Sequence, residues 1–282
     1  MNYRELQKEG QSLCLENEVS DQSAQMLMLE MCRNNNFNLY LDYNEEVEDS
    51  FKELYWNNIQ RLCEHEPLSY VLGYDYFYGY QFKVNHHVLI PRDETEELVA
   101  NTLAYYDELF KGQVVDVIDV GCGSGAIGIA LSLEEKNMNV TGCDISSEAL
   151  IVAKENNDNL QANVNFVESD MLKYFVENNI KVDMLISNPP YIKSDAKLES
   201  SVIDYEPKVA LFGGVDGLFF YNEILTNAHL ILKDKYLIGF EIGYDQKDDI
   251  LKLANSYFPN DFKEIVKDIN GKDRMLFITN IK

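Results

Sequence analysis

The chain has 282 residues, enough to bury a full core and to form two domains, and its 46% apolar and 26% charged content is ordinary for a globular protein. It carries 24 Lys and Arg against 48 Asp and Glu, and the formal net charge of −24 opposes the counterion release that drives most nucleic-acid binding. We therefore expect no direct DNA binding, and no stretch is long and apolar enough to cross a bilayer. The polar start, Met1 to Lys8, lacks the apolar core of a secretory signal, which favours a cytoplasmic location.

The first part of the chain carries a helical pattern. Apolar residues recur at three- and four-residue spacing in the runs Met26–Met31 and Phe51–Leu62, and Ser20 or Asp21 can cap the helix that holds the first run. The five cysteines of the chain are scattered and show no paired metal-ligand spacing, so we assign them no chemistry and expect no metal. We predict a small acidic helical domain over residues 1–73.

The character of the sequence changes after residue 73. Aromatic and β-branched residues dominate the segment Tyr76–Val84, which is broken at Gly79 and ends at Asn85. This pattern is typical of a two-stranded hairpin. We therefore predict a β-hairpin linker over residues 74–93.

From residue 94 to 282, strand-like runs alternate with helical ones. The five strand candidates are Val114–Val120, Asn139–Asp144, Val164–Glu168, Val182–Ser187 and Tyr236–Glu241. Such alternation predicts an α/β fold with a parallel sheet and helices on both faces. Two more candidates, Phe262–Lys267 and Met275–Thr279, flank the turn signal Asn270-Gly271 and predict a hairpin-like end to the sheet. Together these patterns predict a Rossmann-like domain of seven strands.

Glycines cluster where the first of these strands runs into a helix, in Asp119-Val120-Gly121-Cys122-Gly123-Ser124-Gly125. They permit a tight turn and close approach of a ligand, so the backbone amides of this loop can cradle a cofactor. Gly123 to Gly128 also fits the dinucleotide fingerprint, with Asp144 about twenty residues on, so the loop alone does not separate NAD from S-adenosylmethionine. The acidic Asp119, the G-x-G-x-G register and an Asn-Pro-Pro-Tyr sequence after the fourth strand favour S-adenosylmethionine.

Acidic residues follow the second and third strands. Asp144 ends the second strand, where a carboxylate can accept both ribose hydroxyls of the cofactor; a helix cap is the alternative. After the third strand, Asp170 can accept from the adenine amino group and Met171 can cover the ring, and here a simple helix cap serves equally well.

The most specific motif is Asn188-Pro189-Pro190-Tyr191, which closes the fourth strand. If the strand order reverses beside the first strand, the motif faces the bound cofactor. The side-chain oxygen of Asn188 and the carbonyl of Pro189 can each accept one N–H of a planar NH₂ group, while Tyr191 can stack on it. Proton loss can follow methyl transfer, so we nominate no catalytic base. The alternative is that Pro189 and Pro190 only end the strand and Asn188 only forms a turn.

With these motifs, the chain resembles the HemK-type glutamine methyltransferases, which modify the Gly-Gly-Gln glutamine of peptide chain release factors. The resemblance spans nearly the whole chain. Besides the two loops it includes Pro67–Gly73, Phe77–Gly79, Leu89–Arg92, Glu94–Glu96, Glu206-Pro207, Ala210-Leu211, Gly213-Gly214, Asp216–Leu218, Glu241–Gly243 and Asp273-Arg274.

The resemblance implies a class I methyltransferase domain that uses S-adenosylmethionine and releases S-adenosylhomocysteine. It implies that Gly121 to Gly125, Asp144, Met171 and Asn188 line the cofactor and that Asn188 to Tyr191 hold the substrate glutamine. The helical domain would grip the release factor, and we expect a monomer.

Two other functions fit parts of the sequence. An enzyme that methylates the amino group of adenine in DNA or RNA could use the same tetrapeptide, because adenine N6 is also a planar NH₂. Such an enzyme should show a basic face, whereas this chain is acidic. A cofactor-binding protein without catalytic activity should lack the glycines or the Asn-Pro-Pro-Tyr motif, and this chain has both.

Overall fold

The computed structural model describes residues 1–281, and its contacts divide the chain into two units. The first unit comprises Met1–Tyr74 and Leu198–Tyr205. The second comprises Asp75–Lys197 and the described residues from Glu206 onward. Within residues 1–281, none of the helices combines the length and the apolar character that crossing a membrane requires.

The secondary-structure elements are as follows. The helices are α1 (Tyr3–Glu16), α2 (Asp21–Asn34), α3 (Asp49–Cys63), α4 (Leu68–Leu72), α5 (Asp93–Leu109), α6 (Ala126–Glu134), α7 (Ser147–Leu160), α8 (Lys173–Glu177), α9 (Ser200–Ile203), α10 (Phe219–Ala228) and α11 (Lys247–Tyr257). The strands are β1 (Tyr74–Phe77), β2 (Tyr80–Lys83), β3 (Val115–Val120), β4 (Met138–Asp144), β5 (Val164–Glu168), β6 (Val182–Ser187), β7 (Leu232–Glu241), β8 (Phe262–Lys267) and β9 (Asp273–Thr279).

The first unit is helical, as its three- and four-residue apolar spacing predicts. Helices α1, α2 and α3 pack on one another and bury Leu6, Leu27 and Tyr55 completely. The hydroxyl of Ser20 accepts a hydrogen bond from the backbone N–H of Gln22 and so caps α2; of the two predicted candidates, Ser20 is the cap and Asp21 is the first residue of the helix.

The hairpin is formed by β1 and β2, which make a separate two-stranded sheet. Its turn consists of Tyr78 and Gly79, both with positive φ (52° and 79°). Two successive residues of this kind form the tight turn whose twist matches that of antiparallel strands. The predicted break at Gly79 is therefore the turn itself.

The second unit is built on a seven-stranded sheet in the order β5-β4-β3-β6-β7-β9-β8. All pairings from β5 to β7 are parallel, whereas β9 pairs antiparallel with both β7 and β8. The α/β class, the seven strands and the hairpin-like end are confirmed. The predicted start of β7 at Tyr236 is wrong, since the strand begins at Leu232; the polar residues Lys233 to Lys235 interrupt the apolar run there.

The strand order reverses beside β3, which lies between β4 and β6. In an open parallel sheet this point leaves a crevice at the carboxyl ends of the strands, where ligands bind. The hydroxyl of Ser187, the last residue of β6, donates to the carbonyl of Val120, the last residue of β3, at 2.6 Å. The loops that follow these two strands therefore start side by side, as the sequence predicts.

A buried amide on α7 connects the hairpin to the glycine loop. Asn156 is 1% exposed, and its side chain donates to the carbonyls of Lys83 (3.0 Å) and Ser124 (2.9 Å) while accepting from the N–H of Lys83 (2.7 Å). One side chain serves both backbone segments because an amide offers donors and an acceptor together. Asn156 thus fixes the position of the carbonyl in the middle of the loop.

Replacing Asn156 with Ala should lower the free energy of unfolding by about 2 kcal/mol, because it leaves the buried carbonyl of Ser124 and the part-buried backbone groups of Lys83 without partners. Urea denaturation measures the change. The matched control is Asn159→Ala, an exposed position on the same helix, which should change little. Equal losses in the two variants would contradict the role given to Asn156.

Candidate active site

The glycine loop turns sharply at the end of β3. The N–H groups of Gly121 and Cys122 both donate to the carbonyl of Cys143, at 2.8 and 2.9 Å, and the N–H of Gly125 donates to the carbonyl of Cys122 at 2.8 Å. Gly121 and Gly123 have positive φ (72° and 53°), and a Cβ on either would meet nothing within 4 Å. The glycines are thus needed for backbone conformation, and the space in front of them can admit a ligand.

Asp119 lies behind this loop and is fully buried. One carboxylate oxygen, Oδ2, accepts from the N–H of Gly128 at 2.9 Å, while Oδ1 is buried and has no hydrogen-bond partner among the described residues. Burial raises the pKa of Asp119 to about 7. A carboxylate with an unused buried oxygen suits a ligand that carries a cationic donor, and the amino group of S-adenosylmethionine is one.

Asp144 ends β4 beside the same loop. Its Oδ2 accepts from the N–H of Gly123 and its Oδ1 from the N–H of Ser146, both at 2.9 Å. Burial raises the pKa of Asp144, and these backbone bonds oppose the rise. Helix α7 is capped by Ser146, whose hydroxyl accepts from Ala149, so Asp144 is not the cap of that helix. The carboxylate is held against the loop and retains lone pairs for a diol.

Asp170 and Met171 lie in the loop after β5. Asp170 is exposed, and the cap-like bond at the start of α8 is made by Ser169, whose hydroxyl accepts from the N–H of Tyr174 at 3.0 Å. Met171 has a positive φ of 46° and packs partly against the core of the sheet. The Asp170 carboxylate is therefore not used as a helix cap.

The Asn188-Pro189-Pro190-Tyr191 loop begins directly after β6, beside the glycine loop. The amide nitrogen Nδ2 of Asn188 donates to the hydroxyl of Thr95 at 3.1 Å. That hydroxyl donates in turn to Oε2 of Glu241 at 2.6 Å, and the hydroxyl of Tyr191 donates to Oε1 of the same carboxylate at 3.3 Å. One buried carboxylate therefore holds two residues of the loop.

Glu241 is 1% exposed at the carboxyl end of β7. Burial raises its pKa, whereas Thr95, Arg274 and Tyr191 stabilise the charged form. The pKa of Tyr191 is also raised, by its own burial and by the nearby Glu241. Tyr191 is consequently a neutral hydroxyl donor at physiological pH.

A glycine-rich turn packs against the backbone of the Asn188-Pro189-Pro190-Tyr191 loop. A Cβ on Gly213 would collide with the carbonyl of Pro190, and one on Gly217 with the carbonyl of Tyr191. Gln246, 3% exposed, donates to the carbonyls of Tyr191 (3.3 Å) and Gly217 (3.1 Å) and accepts from the N–H of Gly243 (2.8 Å). The loop is thus a fixed platform.

The structure brings together the glycine loop, Asp119, Asp144 and the Asn188 loop at one edge of the sheet. Sequence reasoning missed Thr95, Glu241 and Gln246 as parts of this site, although the first two lie in motifs it singled out. The available signal was Glu241 itself, a charged residue that directly follows the mainly apolar run Tyr236–Phe240 at the edge where ligands bind.

Comparison with known proteins gives a consistent result. A family model described as "PrmC N-terminal domain" matches residues 5–73, and one described as "Methyltransferase small domain" matches residues 93–205. The release factor glutamine methyltransferase of Bacillus cereus is 39% identical over 279 residues, covering 98% of this chain and 99% of the relative. That of Staphylococcus aureus is 32% identical and covers 98% of both chains.

Among solved structures, a methyltransferase from Pyrococcus furiosus aligns with a TM-score of 0.53 at 16% identity, covering 80% of this chain and 99% of the other. The hMettl16 catalytic domain in complex with MAT2A 3'UTR hairpin 6 aligns with a TM-score of 0.54 at 13% identity, covering 83% of each chain. At these identities the likeness concerns the fold alone.

The pKa of Asp119 leads to a test by pH. Because the folded protein holds a proton on Asp119 up to about pH 7 and the unfolded chain only to about pH 4, this group's contribution to stability falls as pH rises between these values and is level above them. Asp119→Asn removes the effect and can still accept from Gly128. Relative to wild type, the variant should gain on the order of 2 kcal/mol in unfolding free energy from about pH 5 to about pH 8. Parallel pH profiles in urea denaturation would contradict the raised pKa.

Proposed function

The chain belongs to the release factor glutamine methyltransferase family, and we propose that it transfers a methyl group from S-adenosylmethionine to the side-chain amide nitrogen of the Gly-Gly-Gln glutamine of a release factor. The relatives that cover 98% of the chain support this activity by their names. The observation that carries the proposal is the Asn188 amide. Since its Nδ2 is engaged by Thr95, its Oδ1 is the end left to accept from a substrate NH₂.

For the cofactor, we assign the backbone of Gly121 to Gly125 to the amino-acid portion, with the unpaired Oδ1 of Asp119 accepting from its amino group. Asp144 accepts from the ribose hydroxyls, and Asp170 and Met171 contact the adenine. When bound, S-adenosylmethionine supplies an electrophilic methyl group on a sulfonium. Cys122 and Ser124 contribute their backbone groups to the same cradle.

For the substrate, the task is to orient a weak nucleophile. The lone pair of an amide nitrogen is delocalised into its carbonyl, so the two N–H groups must be held in one plane while positive charge develops on the nitrogen. Asn188 Oδ1 and the Pro189 carbonyl accept these two hydrogens, and the ring of Tyr191 lies against the planar group. Positioning of this kind can supply about 7–11 kcal/mol of the barrier. The methylated nitrogen is cationic and strongly acidic, so it loses one proton to solvent water after transfer and no strong base is required.

We assign substrate recognition to the helical domain, residues 1–73, joined by a hairpin linker, residues 74–93, to the methyltransferase domain, residues 94–282. The match to the PrmC N-terminal domain over residues 5–73 supports this division of labour. The protein is expected to act as a monomer. It is also expected not to bind DNA directly, because its net charge is −24.

The activity can be tested directly. Purified protein given S-adenosylmethionine and a release factor should add one methyl group to the Gly-Gly-Gln glutamine, seen by mass spectrometry of the peptide that contains it. A release factor with Glu in place of that glutamine is the control and should stay unmodified. Methylation of adenine in DNA or RNA, with the release factor left untouched, would overturn the proposed function.

The role of Asn188 predicts a specific loss. Asn188→Ala removes one of the two acceptors and should lower kcat by about 100-fold or more, since acceptors that act on developing charge are worth this much. The affinity for S-adenosylmethionine, measured by calorimetry, should change less than about threefold, because most cofactor contacts lie on the glycine loop and Asp144. A variant with normal kcat would rule out the orienting role.

A further inference from the structure

A continuous hydrogen-bond network connects the Asn-Pro-Pro-Tyr loop to α5 and β7. It links Asn188 Nδ2, Thr95 Oγ1 and Glu241 Oε2, with Tyr191 joined to the other carboxylate oxygen. Thr95 is 5% exposed and Glu241 1% exposed, so the hydrogen bond between them is shielded from solvent. Neither residue is needed as an acid or base in the proposed reaction.

The direction of these hydrogen bonds is determined by chemistry. The single hydroxyl proton of Thr95 goes to Oε2 of Glu241, which accepts it at 2.6 Å. Thr95 can then only accept from Asn188, which presents the NH₂ end of its amide to the hydroxyl. A flipped Asn188 would place its oxygen against the lone pairs of Thr95 with no proton between them. Such an unpaired buried contact is costly.

The charged form of Glu241 has support on several sides. Burial raises the pKa of Glu241, and Glu94 at the start of α5 also opposes ionisation, whereas Arg274, 8% exposed on β9, favours the charged form. The hydroxyls of Thr95 and Tyr191 each donate to the carboxylate. Charge-assisted hydrogen bonds of this type are the strong ones.

We propose that Thr95 and Glu241 are positioning residues that fix the orientation of the Asn188 amide, so that its oxygen and not its NH₂ group faces the reacting nitrogen. The inference rests on the proposed function, because it assumes a substrate that presents an NH₂ group. Without the hydrogen bonds that link Asn188 through Thr95 to Glu241, the Asn188 amide can adopt both orientations. In the wrong one, two NH₂ groups face each other and the substrate cannot be held for transfer.

The first test replaces the hydroxyl of Thr95. Thr95→Val keeps the shape but removes the link, and should lower kcat by about 10- to 100-fold with a smaller change in KM. Thr95→Ser restores the hydroxyl and should recover activity to within about threefold of wild type. Thr102→Val is the matched control: Thr102 lies on the same helix, is fully buried, and its hydroxyl has no hydrogen-bond partner among the described residues. Wild-type kcat in Thr95→Val would overturn the proposal.

The second test reverses the donor-to-acceptor direction of the hydrogen bonds that link Asn188, Thr95 and Glu241. In Asn188→Asp two carboxylates compete for the one proton of Thr95, so kcat should fall by about 100-fold even though an acceptor oxygen remains. Adding Glu241→Gln supplies an NH₂ donor to Thr95, whose own proton can then go to the carboxylate introduced at position 188. The double variant should therefore recover at least about tenfold in kcat. Normal activity of the single variant, or an equal loss in the double variant, would overturn the proposal.

These outcomes are separable from failure of the proposed function. If the wild type leaves the release factor unmodified but methylates adenine, the proposed function fails, and the same set of variants tests the positioning role with adenine as the planar NH₂. If the wild type methylates the glutamine and Thr95→Val does so equally well, only the positioning role fails. Folding of each variant is checked by thermal unfolding and by its affinity for S-adenosylmethionine.

Discussion

The reversal of strand order beside β3 is the constraint on which the site depends. Neighbouring parallel strands lie about 4.8 Å apart, so loops that leave the same edge of β3 and β6 begin within contact distance. The bond from the Ser187 hydroxyl to the Val120 carbonyl connects the final residues of these strands. In the proposed function, a methyl donor held by one loop and an acceptor held by the other are thereby placed close together by the sheet itself.

Two buried carboxylates serve this edge in different ways. Burying a charge costs several kcal/mol unless hydrogen bonds or a counter-charge offset it. Glu241 has both of its oxygens bonded and Arg274 nearby, so it is satisfied within the protein and suits a permanent structural role. Asp119 keeps one oxygen unpaired among the described residues and has a pKa raised to about 7, so it gains most from a cationic ligand. Glu241 and Asp119 thus differ in how many of their carboxylate oxygens have hydrogen-bond partners and not in exposure, since both residues are fully buried.

Much of this arrangement could be predicted from the sequence, because strand periodicity and glycine spacing are local signals. The seven strands, their hairpin-like end and the two candidate caps of α2, Ser20 and Asp21, all followed from short segments. The meeting of the two loops depended on a reversal of strand order, which only the assembled sheet shows. The link from Asn188 through Thr95 to Glu241 did not follow from short segments either, since these residues are separated by 93 and 146 positions and meet only after the sheet is assembled. The start of β7 was missed for a local reason, namely the charged residues at its beginning. The glycine motif near Gly213 is visible in the sequence, but its reason, close approach to the Pro190 and Tyr191 carbonyls, is a tertiary contact.

The presence of an asparagine at the reacting loop raises a problem that an aspartate would not. An aspartate offers an acceptor in either orientation, whereas the two ends of an asparagine amide differ, and the wrong end repels an N–H donor. An aspartate would, however, add a negative charge at the same edge of the sheet as Asp119 and Asp144, in a chain that is already strongly acidic. A neutral acceptor avoids that repulsion but must be oriented from behind. The buried carboxylate of Glu241 achieves this through the hydroxyl of Thr95. Because that hydroxyl has a single proton and gives it to the carboxylate, it can only accept from Asn188, and the amide is held in one orientation.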